Sequence, residues 1–201
     1  NVILFVADPS DDRRVYFSRN LGLPREPRKT LFNRGDRYSE ALCESLPPRV
    51  YAMTCLHREF GMRFEEGAKI DAREAWREAR ETGQITISKG TKGGKERIVP
   101  IRNSMQQLRV LCLASEFQGD HKSLIPCELS YKKFNARTYG AAYRQGVKFH
   151  DARHAYAQST YRQLTSWPPP ISLMLTKRAH KKFVLIEYGV SESHFIKRDR
   201  F

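Results

Sequence analysis

The sequence predicts a mainly α protein with one small antiparallel β-sheet, an α+β class. Two patterns carry that reading. Apolar residues recur at helical spacing along most of the chain from Tyr38 onward, and a single pair of alternating segments flanks a glycine-rich turn. The chain has neither internal repeats nor low-complexity tracts. With 201 residues, 40% of them hydrophobic and 29% charged, it is long enough for one full core.

Residues 1–37 carry Pro9, Gly22, Pro24 and Pro27 among many arginines and read as a lead-in or linker. Val2-Ile3-Leu4-Phe5-Val6 is too short for a signal peptide and reads as a piece of buried strand or helix continuing from upstream of Asn1. Residues 38–201 are expected to form the principal domain. Within it, Ala41, Leu42 and Leu46, then Val50, Ala52, Met53, Leu56 and Phe60, mark two helical stretches broken at Pro47-Pro48 and ended by Gly61. A short helix is expected over residues 63–70. Residues 71–81, rich in Ala, Glu and Arg, read as helix without an apolar face.

Gln84-Ile85-Thr86-Ile87-Ser88 alternates, as does Arg97-Ile98-Val99-Pro100-Ile101, and Gly90, Gly93 and Gly94 lie between them. That is a β-hairpin with a lysine-rich tip. Residues 104–116 read as helix with Met105, Leu108, Leu111 and Cys112 on one face. Pro126 makes residues 124–129 a loop, and residues 131–146 and 150–164 are two more helices. Trp167-Pro168-Pro169-Pro170 is a hard stop, followed by short helices over 171–177 and 181–188.

Lys and Arg number 36 against 22 Asp and Glu, a net charge of +14, and the pI is near 9.9. Such a surplus favours a polyanionic partner, most simply the phosphates of a nucleic acid. A basic surface without such a partner is the plain alternative. The four cysteines show neither C-x-x-C pairing nor zinc-finger spacing, so reduced, buried thiols in a reducing cytoplasm are expected, with no metal site. No apolar run approaches the roughly 18 residues of a membrane span, so no membrane partner is expected.

Four clusters hold the candidate chemistry. Gly61-Met62-Arg63 is followed one turn on by Glu66, spaced to hold the Arg63 guanidinium; an ordinary exposed ion pair is the bland reading. The segment from Lys89 through Lys92 and Lys95 to Arg97 offers cations to a phosphate backbone, or is simply a basic turn; it lacks P-loop spacing. His150 and Arg153 share a helix face and could reach one phosphate, or be a solvated helix start. His180 precedes Tyr188, which could equally pack an apolar face.

Gly-Met-Arg-Phe-Glu-Glu, Gly-Thr-Lys-Gly-Gly-Lys-Glu-Arg-Ile-Val-Pro-Ile and His-Asp-Ala-Arg-His-Ala-Tyr-Ala resemble the three central motifs of the tyrosine recombinases, the phage-integrase family. The last is most similar to integrases of mobile elements, and the resemblance spans roughly residues 38–190. It implies the tyrosine recombinase catalytic-domain fold over residues 38–201. Residues 1–37 are then expected to be the end of an N-terminal DNA-binding domain that is missing or lies upstream. It also implies catalytic roles for Arg63, Lys92, His150, Arg153, His180 and Tyr188, with Glu66 in support and Lys89, Lys95 and Arg97 on DNA. The implied partner is double-stranded DNA, with self-association upon it, no cofactor, and a bacterial, cytoplasmic, nucleoid-associated setting.

The implied reaction is site-specific cutting and rejoining of DNA through a 3′-phosphotyrosyl intermediate. Two departures stand out: the stretch from Trp167 to Thr176 fits the family's pattern poorly, and the segment from Arg178 to Tyr188 is altered. Arg178-Ala179-His180 occupies the place of the family's usual Leu-Gly-His, and Tyr188 follows His180 by eight residues rather than nine. They motivate the alternative, a catalytically degenerate DNA-binding remnant. A third class, an RNA-binding or scaffolding basic protein, would need stacking aromatics on a sheet, which a lone hairpin does not supply.

Overall fold

Helix boundaries follow from local chemistry in the computed structural model, which describes residues 33–198. Helix α1 (Glu40–Glu44) begins at the N-cap Ser39, and α2 (Pro48–Phe60) begins with a proline at its first turn. Gly61 ends α2 in the left-handed conformation. Helix α3 (Phe64–Lys69) follows at once, and Asp71 caps α4 (Ala72–Thr82) by accepting from the Glu74 amide. Strands β1 (Gln84–Ile87) and β2 (Arg97–Pro100) pair antiparallel with Ile85 opposite Val99. Asn103 and Ser130 cap α5 (Ser104–Gln118) and α6 (Tyr131–Arg144). Helix α7 (Phe149–Thr165) leads through a 3₁₀ turn (Pro170–Leu173) to α8 (Lys177–Glu187), capped by Thr176, and α9 (Glu192–Arg198).

The main core gathers around α2, which buries Ala52, Met53, Leu56 and Phe60 and packs on both α5 and α7. Helix α4 packs on α5 and β1, so the hairpin is fastened to the helical body along one strand. Truncating a side chain as buried as Leu56 to Ala would cost about 2–5 kcal/mol. A second, smaller core joins Trp167, Val184 and Phe195, with Tyr161, Phe183, Leu185 and Val190 around them. Trp167 and Phe195 stack with ring centroids 5.4 Å apart.

Several sequence expectations change. Helix α4 does have an apolar face, made of small residues: Ala72, Ala75 and Ala79 are buried, and close packing needs no long side chain there. Helix α5 turns only part of the expected face inward: Leu111 is buried and Leu108 packs on the core. The helix also buries Gln107, Val110 and Ala114, while Met105 and Cys112 are exposed. Gln107 takes a core position because it donates to the Glu59 carbonyl and accepts from the amides of Arg102 and Asn103. The helix expected over 171–177 is only the 3₁₀ turn, which ends where Met174 takes the left-handed conformation (φ +54°). Cys43 and Cys55 are buried, but Cys112 and Cys127 are exposed; all four thiols are free.

Residues 33–37 pack on α7: Gln158 donates to the Asn33 side chain, and its amide lies against Gly35. Residues 33–37, expected to belong with the lead-in, thus make contacts with α7. The remainder of that lead-in, residues 1–32, lies outside the described residues.

Candidate active site

The carbonyls at the end of α2 have no partner within the helix and need donors from elsewhere. Three successive carbonyls find them in side chains. Arg97 Nη1 donates to Phe60 O at 3.5 Å and Arg97 Nη2 to Gly61 O at 3.2 Å. Arg153 Nη1 also donates to Gly61 O, at 2.7 Å. The third carbonyl, Met62 O, accepts from His57 Nδ1 at 2.6 Å. Cations are favoured at this end of the α2 dipole, which helps to explain why guanidinium groups cap it.

Gly61 is required here twice over. Its φ is +60°, and a Cβ would stand 2.3 Å from Cδ1 of Tyr156 on α7.

Glu66 lies one turn into α3 with a side chain 0% exposed. It accepts from the Arg63 amide at 2.7 Å, from Arg63 Nη1 at 2.8 Å and from Arg97 Nη2 at 2.7 Å. Arg153 Nη1 stands 4.0 Å from the same carboxylate. Burial by itself would raise the Glu66 pKa, but hydrogen bonds from Arg97 and the Arg63 amide outweigh it and hold the group below its ordinary value. Burial, then repulsion from Arg63, lowers the Arg153 pKa. Among the described residues, three guanidinium groups (Arg63, Arg97, Arg153) against one carboxylate leave two positive charges in excess. The cluster carries a surplus of positive charge that could attract an anion, with Arg63 and Arg153 both partly exposed.

The lysine loop begins beside this group. A Cβ on Gly90 would come 2.7 Å from the Glu65 backbone, so the loop lies directly on α3. Lys89, Lys92 and Lys95 are exposed along it, with Lys92 starting the 3₁₀ turn Lys92–Gly94 at the tip. Arg97, grouped with these lysines in the sequence reading, instead turns inward onto Glu66. Strand alternation accounts for that: Arg97 shares its face with buried Val99, while Ile98 points out at 60% exposure.

His150 is exposed in the first turn of α7, its ring edge-on to His154 at 4.4 Å, one turn before Arg153. Burial, followed by the neighbouring His150, lowers the His154 pKa. His180 and Tyr188 sit elsewhere. His180 is 1% exposed, donates from Nε2 to the Pro168 carbonyl at 2.8 Å and packs against Tyr161 and Phe195. Tyr188, 46% exposed at the end of α8, lies against Trp167 and Phe183. Among the described residues, no hydrogen bond or ion pair joins either of them to the arginine group.

Residue spacing alone does not mark the inward role of Arg97, the Gly61 carbonyl, Tyr156 or His57. The burial of His57 was legible in principle, since it continues the buried stripe of Met53, Leu56 and Phe60 on α2. Among the described residues, no group of three His, Cys, Asp or Glu side chains is placed to hold a metal ion. No described helix is long and apolar enough to cross a membrane.

No curated protein matches the chain. The model of the phage integrase family matches residues 34–167. That span contains the hairpin and the whole Arg63–Glu66–Arg97–Arg153 cluster, together with Lys92 and His150, and it ends before His180 and Tyr188. Covering two thirds of the chain, the match shows that it belongs to the phage integrase family, the tyrosine recombinases.

Proposed function

We propose that this protein is a site-specific DNA strand transferase, with Arg63 and Arg153 gripping the scissile phosphate and Tyr188 attacking it. The observation that carries the reading is the Glu66-anchored arginine cluster. It offers two partly exposed guanidinium groups fixed by a buried carboxylate, on a protein with a net charge of +14. Preorganised donors of this kind stabilise charge that develops on a phosphate without reorganising during the reaction.

In the proposed step the Tyr188 hydroxyl oxygen bonds to phosphorus and the bond to the 5′-oxygen breaks. His150 takes the phenolic proton, and Lys92 protonates the leaving 5′-oxygen. His180 would donate to the phosphate. The products are a 3′-phosphotyrosine and a 5′-hydroxyl. One phosphoester is exchanged for another, so a 5′-hydroxyl from a second strand can reverse the step and join new partners. Lys89 and Lys95 would follow the DNA backbone on either side of Lys92. The Tyr188 hydroxyl must meet the phosphate held by Arg63 and Arg153, so the proposal includes movement of the end of α8 on DNA, or its supply by a second protomer. Action on a bacterial chromosome, in the cytoplasm, belongs to the same proposal.

A second reading is DNA binding without cleavage, as expected of a degenerate remnant. The environment of His180 favours it: the ring is buried, and its Nε2–H is already committed to Pro168 O. A nicked duplex that traps covalent intermediates separates the two. A protein–DNA adduct on a denaturing gel supports strand transfer. Tight, salt-sensitive binding with no adduct supports the second reading, and RNA outcompeting duplex DNA at equal salt rejects both.

A further inference from the structure

His57 belongs to no motif that resembles the family, yet it touches the same turn as the arginines. Its ring is 1% exposed, 5.2 Å from Phe149 and 6.3 Å from Phe64 by centroid. Gly67 lies beside it, where a Cβ would be in ordinary van der Waals contact at 3.5 Å from Cε1. Within this apolar slot Nδ1 lies 2.6 Å from Met62 O. A carbonyl can only accept, so Nδ1 carries the hydrogen and the tautomer is fixed. The other ring nitrogen, Nε2, is buried without a hydrogen-bond partner. A buried polar atom left unsatisfied is costly, so a plain packing role would favour an apolar side chain at this position.

We propose that His57 is a positioning residue for the phosphate-binding arginines, acting through the Met62 carbonyl. The peptide that begins at this carbonyl carries the Arg63 amide, which is itself bound to Glu66 at 2.7 Å. His57 therefore fixes one side of the peptide and Glu66 the other, and together they set the direction in which Arg63 leaves the backbone. Burial also pushes the His57 pKa down to about 4, so the ring adds a donor to the turn without adding a fourth positive charge beside Arg153. A lysine could not replace it without that charge, and a phenylalanine would fill the slot without the donor.

This inference rests on the DNA-binding reading, and its test does not depend on cleavage. Duplex affinity is measured for wild type, Arg63→Ala, His57→Phe, His57→Asn and the Arg63→Ala/His57→Phe double variant. The loss of one charge-assisted contact is on the order of tenfold in affinity. His57→Phe should lose the same factor as Arg63→Ala, and the double variant should lose no more than either. His57→Asn, whose amide can occupy the place of Nδ1–H, should recover most of the loss. Additive losses in the double variant, or wild-type affinity in a folded His57→Phe protein, overturn the proposal.

Should His57→Phe fail to fold, the tautomer remains open to measurement in the wild type by nitrogen-15 histidine NMR. An Nδ1–H ring neutral at pH 7 is expected; an Nε2–H or doubly protonated ring overturns the proposal. A wild type that binds duplex DNA but forms no adduct removes the cleavage step alone and leaves this cycle intact.

Discussion

Arg153 donates to the carbonyl of Gly61 at 2.7 Å across 92 positions of sequence. That one bond ties α7 to the turn between α2 and α3, so the two candidate phosphate-binding arginines share a support. Arg63 leaves the turn two residues after Gly61, and Arg153 reads the turn's position through its carbonyl. A change that moves the turn should therefore disturb both cations together.

Gly61→Ala is the direct way to move it. A left-handed non-glycine residue costs about 1–2 kcal/mol, and the overpacking against Tyr156 adds about 1–3 kcal/mol. The unfolding midpoint in urea should drop accordingly. An unchanged midpoint would mean that Tyr156 swings aside and that the turn is softer than its contacts imply.

Glu66→Gln keeps the size of the side chain and removes its charge. The arginine group would lose its buried counter-ion, and breaking a buried pair in this way costs about 3–5 kcal/mol. Chemical denaturation should show the loss. DNA could offset part of it by supplying a phosphate, so added duplex should stabilise this variant more than the wild type. Equal stabilisation of both proteins would argue that the DNA phosphates bind elsewhere.

Acid should destabilise the fold through two groups acting in the same direction. His57 has its folded pKa lowered from 6.5 to about 4, so between those values the unfolded chain binds a proton that the folded chain refuses. Stability from this source rises with pH over that window, and at about 1.4 kcal/mol per tenfold change it amounts to about 3 kcal/mol. Glu66, its folded pKa lowered from 4.5, contributes stability that is present above 4.5 and lost as pH falls through the depressed value. His57→Phe should therefore flatten the stability profile between pH 6.5 and about 4 relative to wild type. The same slope in both proteins would show that His57 titrates normally.

Arg153→Lys keeps the charge and removes the planar donor set. Under the proposed mechanism DNA binding should change little, while adduct formation should fall about 10²- to 10³-fold, as expected for a lost transition-state donor. Cleavage at the wild-type rate would make Arg153 a purely structural clamp on Gly61.

Local signals explain how much of this was legible in the sequence. The Pro47-Pro48 break and the hairpin around Gly90 are short-range features, and the helices and strands they bound lie close to where they were expected. Periodicity did less well where small or polar residues form a buried face, as Ala75 and Ala79 do on α4 and Gln107 does on α5. The pairing of Arg63 with Glu66 lies within one helical turn and could be read from spacing. The inward turn of Arg97 and the bracing by His57 depend on carbonyls at the end of α2 that only the folded turn exposes. The site was therefore visible in its motifs and hidden in its supports.

The nucleophile gives the sharpest test, because Tyr188, like His180, stands apart from the arginines. Tyr188→Phe removes only a hydroxyl from a ring that packs against Trp167 and Phe183, so the fold and DNA affinity should persist while the adduct disappears. Tyr161 is the instructive control. It lies eight residues beyond Arg153 on α7, roughly 12 Å along the axis at about 1.5 Å per residue, and its ring faces His180 at 5.9 Å. Tyr161→Phe should therefore keep the adduct. Mass spectrometry of a trapped, digested adduct would locate the modified tyrosine. An adduct that survives Tyr188→Phe would reject Tyr188 as the nucleophile. Tight binding with no adduct from the wild type would favour the binding-only reading, in which the arginine cluster holds DNA that the C-terminal core does not cut.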